Sequence, residues 1–315
     1  MQTKSFYQTM SDGCEIWINR WAPDSDVKIK GVVQLHHGLA EHSMRYDRLG
    51  SVLAENGYVL NAYDMRGHGQ TAENALQKKT GGYGKLADKD GFDRAVNDLY
   101  EITNAVRQIY PGKKVFLLGH SFGSFIAQGF MERFNNVIDG CILCGTAGPQ
   151  RLLVGFGKLI TSIVKHFAGD NSHVKFLESI SFAGYNRKIK NPQSKVDWLS
   201  ANEMNISMYQ MDNWCGIPLT TSFYYDMTHG LSVIHKRKNM MKVPDIPMFL
   251  IYGAEDPVGS YGKTVIKLND FYAIKRGVED IHIKAYEGCR HEILNEKISD
   301  QVEKDIIEWM DEHAK

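Results

Sequence analysis

A short apolar segment followed by a glycine-rich turn holds the residue best suited to nucleophilic chemistry. Residues 115–118 read Val-Phe-Leu-Leu and predict a buried strand, and the Gly-His-Ser-Phe-Gly turn at 119–123 leads into a predicted helix. A serine at such a strand-to-helix turn has its hydroxyl exposed above the sheet, provided that glycine-sized neighbours let strand and helix approach closely. The Gly-x-Ser-x-Gly pattern also arises by chance, so it is this context that predicts Ser121 as the nucleophile of an acyl transfer.

A serine hydroxyl is a weak nucleophile unless a base removes its proton and a third group orients that base. Two later apolar strands end in polar turns, Gly-Ala-Glu-Asp-Pro-Val at 253–258 and Glu-Gly-Cys-Arg-His-Glu at 287–292. The first turn predicts Asp256 as the acid because the proline after it fixes the backbone, with Glu255 as the competing choice. The second predicts His291 as the base, which gives the chain order serine, acid, histidine.

Acyl transfer also needs backbone N–H donors directed at the developing oxyanion. One predicted donor is the amide of Phe122, directly after the nucleophile. The other is an amide of the loop that follows the apolar run at 31–36, and Leu39 is our candidate there.

Two groups of residues have side chains of the kinds that bind metals. Adjacent residues at a strand end face opposite ways, so His36 and His37 are poorly placed to share an ion, and a turn-stabilising role is favoured. The cysteine pair lies in an apolar strand with no second pair, which favours buried free thiols. We therefore predict no metal site and no cofactor. The two groups are His36, His37, Glu41 and His42 around the loop, and Cys141 with Cys144 in the strand.

Short apolar strands alternating with helical segments surround these candidate residues. The alternation predicts an α/β fold with a mainly parallel central sheet flanked by helices on both faces. The segment at 4–23 alternates around a Ser-Asp-Gly turn and predicts a hairpin at the edge of the sheet. Ser43 is predicted to cap the helix that follows the first loop. In such a fold, functional side chains gather at the C-terminal ends of the strands.

The stretch from 146 to 241 breaks this alternation and is dense in Phe, Tyr, Trp and Met. We predict that 146–241 forms a helical cap, or lid, inserted between the two parts of the core, 1–145 and 242–315. Within the cap, apolar residues from Leu152 to Phe167 follow helical spacing. They form either the packed face of an ordinary helix or a face that contacts lipid, and the sequence leaves both open.

Length, charge and cysteine content restrict the class of protein. A chain of 315 residues with a formal net charge of zero gives no indication of a nucleic-acid partner. No apolar run approaches the ~18 residues of a membrane span, and residues 1–10 lack the apolar core of a signal peptide. The odd number of cysteines, five, fits a reducing compartment. We expect a cytoplasmic protein, and the sequence leaves its oligomeric state open.

The whole chain resembles α/β-hydrolases of the monoacylglycerol lipase and lysophospholipase type. The resemblance is carried by the turn at 119–123, by the loop His-Gly-Leu-Ala-Glu-His-Ser-Met-Arg-Tyr at 37–46, and by the turn Asp-Met-Arg-Gly-His-Gly at 64–69. The two strand ends with the candidate acid and base complete it. Ala40 stands where the family usually has a second glycine, a change that should leave the backbone donor in place.

The resemblance implies a serine esterase that acts without metal or organic cofactor on a lipid-like acyl ester. It also implies an apolar acyl channel beneath the cap, and the aromatic and methionine content of the cap suits such a pocket. Transient contact of the cap with a membrane surface is a further expectation.

Two other enzyme functions use the same motifs, and a third alternative is not an enzyme. A general carboxylesterase needs nothing further, whereas a serine aminopeptidase needs an acidic group in the cap to hold the substrate amine. A non-catalytic binding protein with the same fold is disfavoured because all three candidate triad positions are intact. The acids available in the cap are Glu178, Asp197, Glu203, Asp212 and Asp226.

Overall fold

The computed structural model describes residues 1–315 and contains one sheet of eight strands. In chain order the strands are β1 (Gln2–Thr9), β2 (Glu15–Ala22), β3 (Gly31–His36), β4 (Tyr58–Tyr63), β5 (Lys114–His120), β6 (Gly140–Cys144), β7 (Met248–Gly253) and β8 (Ile281–Tyr286).

The order of strands across the sheet is β1-β2-β4-β3-β5-β6-β7-β8. β1 and β2 form an antiparallel hairpin, and β2 pairs antiparallel with β4. From β4 through β3 and β5 to β8, every neighbouring pair is parallel. This confirms the predicted α/β class, and it brings the C-terminal ends of β3, β5, β7 and β8 to one edge of the sheet.

Eleven α-helices accompany the sheet. They are α1 (Asp47–Glu55), α2 (Gly69–Gln77), α3 (Gly91–Ile109), α4 (Phe122–Met131), α5 (Arg151–Ala168), α6 (Lys175–Ser181), α7 (Glu203–Met211), α8 (Thr221–Ile234), α9 (Arg237–Met240), α10 (Lys263–Asp270) and α11 (Ser299–His313).

The central strands are buried on both faces, which explains their continuous apolar sequences. Alternate residues of each strand enter opposite cores, as Val32 and Val33 of β3 do. One core packs the sheet against α3, α4 and α10, and the other packs it against α1 and α11. Both faces of the sheet are thereby covered beneath the loops at its C-terminal edge.

Helices α5 to α9 lie between β6 and β7, in the segment predicted as an insertion. α5 packs along α8, where Thr161 and Thr228 contact each other through their hydroxyls at 3.0 Å. Thr161 is the buried residue of α5. None of the chain's helices combines the length and the apolar composition needed to cross a bilayer.

The prediction that Ser43 caps α1 was wrong. Ser43 begins a short 3₁₀ helix that ends at Tyr46, one residue before α1. Its hydroxyl donates to Asp64 Oδ1 at 2.5 Å and accepts from Asn19 Nδ2 at 2.8 Å. The side chain therefore ties its loop to β2 and to the end of β4, because partners distant in sequence compete with the local cap.

Candidate active site

The turn between β5 and α4 places Ser121 in a backbone conformation that L-residues rarely adopt, with φ of 51° and ψ of −119°. A Cβ at Gly119 would lie 2.6 Å from the carbonyl oxygen of Gly123, and a Cβ at Gly123 would lie 2.2 Å from that of His36. Both positions therefore require glycine, as the sequence predicted. The strained turn presents the Ser121 side chain above the edge of the sheet.

A continuous hydrogen-bonded chain joins the three residues predicted for nucleophile, base and acid. His291 Nε2 lies 2.7 Å from Ser121 Oγ, and His291 Nδ1 lies 2.9 Å from Asp256 Oδ2. His291 and Asp256 are 1% and 0% exposed. The competing acid Glu255 is instead an exposed loop residue whose carboxylate is 4.0 Å from Arg290 Nε.

Aromatic side chains pack around the imidazole of His291. The ring of His120 lies 5.0 Å from it and that of Trp198 lies 5.1 Å from it, measured between centroids. Burial lowers the pKa of His120 to about 4, so that ring is neutral near pH 7. His120 is thus a neutral packing residue beside His291.

The pKa of His291 reflects two opposing effects. Burial acts to lower it, but the carboxylates of Asp256, Glu292 and Glu41 outweigh burial and raise it above the ordinary histidine value. A raised pKa makes the imidazole a stronger base toward a hydroxyl proton. It also means that the ring becomes protonated at a higher pH than a free histidine does.

Two backbone amides lie next to Ser121 with their N–H groups free of the regular hydrogen bonding. Phe122 is the first residue of α4, so its N–H has no partner within the helix. The Leu39 N–H has no partner in the chain. The loop of Leu39 lies against Ser121, since a Cβ at Gly38 would be 3.1 Å from Ser121 Cβ.

The loop that carries Leu39 is held by its own side chains and by histidines. Glu41 Oε1 accepts the Gly38 N–H at 2.5 Å, so that amide is already used. Ala40, in the position where the family usually has glycine, has a left-handed φ of 52°. Its N–H donates to His68 Nε2 at 3.1 Å. His37 Nε2 accepts the Met65 N–H at 3.0 Å, in agreement with a turn-stabilising role.

A buried ionic network that the sequence did not predict connects this loop to the turn that carries His291 and to α7. Arg45 binds Glu292 through two nitrogen–oxygen pairs, both 2.7 Å, and Glu41 through a third at 2.8 Å. Asn205 of α7 donates to Glu292 Oε2 at 2.7 Å and accepts from Arg45 at 3.0 Å. Arg45 lies in the motif at 37–46, and Glu292 follows the base directly, which are the only signals that could have found them.

One cluster combines three residue types that bind metals. Donor atoms of His42, Asp212 and Cys215 all lie within 4.8 Å of one another. His42 Nε2 contacts Asp212 Oδ2 at 2.8 Å, and Asp212 Oδ1 accepts the Trp214 N–H at 2.8 Å. These hydrogen bonds account for the arrangement, which we interpret as a contact between the loop after β3 and the segment before α8.

A family model described as serine aminopeptidase, S33, matches residues 27–298, which include all the candidate residues above. The chain belongs to this α/β-hydrolase family. Together with the relatives described next, which are named lipases and esterases, this membership makes it an enzyme of the carboxylic ester hydrolase class.

Relatives across the family include proteins that are named lipases and esterases. The chain is 32% identical to the monoglyceride lipase of Homo sapiens, over 96% of this chain and 89% of that protein. It is 32% identical to the monoglyceride lipase homolog of monkeypox virus, over 95% of each chain. A solved carboxyl esterase from Bacillus coagulans superposes with a TM-score of 0.90 at 26% identity, covering 100% of both chains.

Proposed function

We propose that the protein hydrolyses lipid esters with one acyl chain, of the monoacylglycerol or lysophospholipid type, through an acyl-enzyme on Ser121. The observation that carries this proposal is the buried chain from Ser121 through His291 to Asp256, next to the free amides of Leu39 and Phe122. No metal and no organic cofactor has a role in it.

In the first half of the reaction, Ser121 Oγ attacks the ester carbonyl carbon while His291 Nε2 takes the hydroxyl proton. The amides of Leu39 and Phe122 stabilise the negative oxygen of the tetrahedral intermediate. Asp256 accepts a hydrogen bond from the Nδ1–H of His291 and stabilises the imidazolium. His291 then protonates the leaving alcohol, and the carbon–oxygen bond to that alcohol breaks.

In the second half, water replaces the alcohol. His291 takes a proton from the water as it attacks the acyl-enzyme. The resulting intermediate collapses as the bond from the carbonyl carbon to Ser121 Oγ breaks and His291 returns that proton to Oγ, which releases the carboxylic acid. The reaction consumes one ester and one water and yields one alcohol and one acid.

We further propose that residues 146–241 form the cap of this site on a core made of 1–145 and 242–315. Trp198 packs on His291, and the Leu199 carbonyl accepts the Glu292 N–H at 2.7 Å. Trp198 also stacks on Phe182 and meets Tyr185 edge-on. This aromatic cluster supports an apolar acyl channel at that end of the site, in keeping with relatives that are named monoglyceride lipases.

We propose that the protein is cytoplasmic and that α5 brings the cap into contact with a membrane surface. Its outer face is apolar and open: Leu152, Phe156 and Phe167 are 92%, 63% and 83% exposed. An amphipathic helix with this face outward is suited to lying in the interface of a bilayer. The sequence left open whether this face packs against the protein or contacts lipid, and these exposed fractions favour the contact with lipid.

A chain-length series tests the substrate. Monoacylglycerols of increasing acyl length are assayed beside lysophospholipids and amino-acid amides with one enzyme preparation. Each buried methylene contributes about 0.8 kcal/mol, so kcat/KM should rise over several carbons and then level when the channel is full. A flat ester series with fast amide cleavage would favour the aminopeptidase function, whereas a preference for lysolipids would change only the head group.

The membrane contact is tested with Leu152→Ser/Phe156→Ser and, as a matched control, Ile274→Ser, which replaces an exposed apolar residue of the core. We expect the double variant to bind vesicles several-fold more weakly and to cleave a soluble short-chain ester at the wild-type rate. Equal vesicle binding by the double variant and the wild type would contradict the contact.

A further inference from the structure

A cationic groove lies beside the first turn of α5. It has a volume of about 400 Å³ and runs between the start of α5 and the end of α8, continuing to α9. We propose that this groove binds the phosphate head group of an anionic phospholipid while α5 rests on the membrane. The proposal rests on the membrane contact proposed above and names the lipid that the contact selects.

Four cationic side chains line the groove, and no carboxylate does. They are Arg151, Lys236, Arg237 and Lys238, all of them exposed. Salt bridges of α3 and α5 use other cations: Arg133 binds Asp93 of α3, and Lys165 of α5 binds Asp170. Because the chain as a whole has no net charge, this unneutralised cluster is a local feature that attracts an anion.

The backbone of α5 adds to the positive electrostatic potential of the groove. Its first N–H groups, at Arg151 to Leu153, have no partner within the helix, and Gln150 provides no side-chain cap. The N-terminus of an 18-residue helix carries a partial positive charge that favours phosphate. On the inner wall, His235 is 5% exposed, and burial lowers its pKa to about 4, so this ring is neutral near pH 7. The positive charge of the groove therefore comes from the four cationic side chains and the helix terminus.

The apolar residues beside the groove indicate a lipid as the source of the phosphate. Leu152 and Leu153 follow Arg151 directly and are 92% and 66% exposed. A soluble phosphate compound would gain no binding energy from these exposed leucines. A phospholipid head group, in contrast, lies at the depth where cations meet phosphate while leucines enter the acyl boundary.

The test compares binding to vesicles of phosphatidylcholine alone with binding to vesicles that also contain phosphatidylglycerol. We expect wild-type protein to prefer the anionic vesicles, with a preference that weakens as salt is added. The variant Arg151→Gln/Lys236→Gln/Arg237→Gln/Lys238→Gln should weaken binding to anionic vesicles by on the order of 10²-fold, and so lose the preference, since each basic residue near an anionic surface contributes up to about five-fold.

The matched control is Lys28→Gln/Lys267→Gln/Lys275→Gln/Lys297→Gln, which removes the same charge from exposed positions outside the groove. It should keep the preference. Equal losses in the two variants would overturn the proposal in favour of non-specific charge attraction, and so would a wild type that binds both vesicles equally.

Two further measurements separate the alternatives. If inorganic phosphate at the same phosphate concentration displaces the protein from anionic vesicles, the groove is a site for soluble phosphate and the lipid assignment is wrong. Hydrolysis of a soluble short-chain ester by wild-type protein is measured in parallel. It reports the proposed esterase function without any vesicle, so a failure of that function is distinguished from a failure of the groove.

Discussion

The candidate catalytic residues and the outer face of α5 are treated in opposite ways by the fold. Asp256 and His291, a carboxyl and an imidazole, are almost fully removed from solvent. Leu152 and Phe167, which are apolar, are 92% and 83% exposed. Each arrangement runs against the ordinary preference of its side chains for water or for the protein interior.

The two regions differ in what offsets the free-energy cost of burying polar groups or of exposing apolar ones. The buried polar groups are partnered within the chain: His291 contacts both Ser121 and Asp256, and Glu292 binds both Arg45 and Asn205. The exposed apolar face of α5 has no such partner inside the molecule. The polar groups of the candidate site therefore have their partners within the chain, whereas the apolar face of α5 is the kind of surface that suits a partner outside it.

Removal of the nucleophile or the base should give the largest effect. Ser121→Ala and His291→Ala should each lower kcat by a factor on the order of 10⁶, because such residues act as a unit. The thermal unfolding midpoint, measured beside kcat on a soluble ester, should stay near the wild-type value. Wild-type turnover by Ser121→Ala would show that the assigned site is not the one used.

Replacement of the acid should cost less than loss of the nucleophile. Asp256→Asn should reduce kcat by a factor on the order of 10⁴, since the amide no longer holds the correct imidazole tautomer. Labelling by a serine-directed phosphonate should be affected less than ester turnover. The control is Glu255→Gln, whose exposed carboxylate has no contact with His291, and it should retain wild-type activity. If Glu255→Gln lost activity while Asp256→Asn retained it, the role of the acid would have to be assigned to Glu255.

The ionic network at Arg45 should tune the base and hold it in place. Glu292→Gln removes a carboxylate that raises the pKa of His291, so that pKa should fall. His291 acts as a base only when neutral, and kcat/KM is lost as pH falls through its pKa. The acid limb of the variant's profile should therefore shift to lower pH, with a roughly ten-fold loss on the plateau from misplacement of the base.

The control for that experiment is Glu287→Gln, which removes an exposed carboxylate from the same loop. Its pH profile should match that of the wild type. An unshifted profile in Glu292→Gln, with activity lost uniformly at every pH, would reduce the network to a structural role. Breaking the buried ion pair should also lower the free energy of unfolding by about 3 kcal/mol.

The sequence predicted the candidate triad because the parallel sheet does most of the positioning. Apolar runs identify β5, β7 and β8, and parallel pairing brings their C-terminal ends together, so residues that follow them must lie close. The choice of Asp256 over Glu255 followed from local turn geometry. These inferences need only the apolar pattern of each strand and the rule that parallel strands place their C-terminal ends at one edge of the sheet.

The contacts made by Arg45 follow no such rule. Glu292 is 247 positions away from it and Asn205 is 160 positions away, and nothing in the spacing of charged residues selects these partners. The same holds for Ser43, whose distant partners Asn19 and Asp64 outweigh the local capping signal. The apolar period of α5 is plain in the sequence, but whether another helix covers that face depends on tertiary packing.

Ala40 lies at the junction of the two regions and offers the finest test of how they are joined. Its carbonyl accepts the Gly216 N–H at 2.9 Å and the Tyr209 hydroxyl at 3.1 Å, both from the cap segment. Its left-handed φ costs an L-residue about 1–2 kcal/mol, while a glycine there adds about 0.5–1 kcal/mol of entropy to the unfolded chain. Ala40→Gly should therefore raise the free energy of unfolding by about 0.5 kcal/mol, measured by denaturant titration, and change kcat/KM by less than about two-fold. A larger loss of activity, with stability raised, would mean that the strain at Ala40 helps to place the Leu39 amide and that the cap and the site are coupled through this residue.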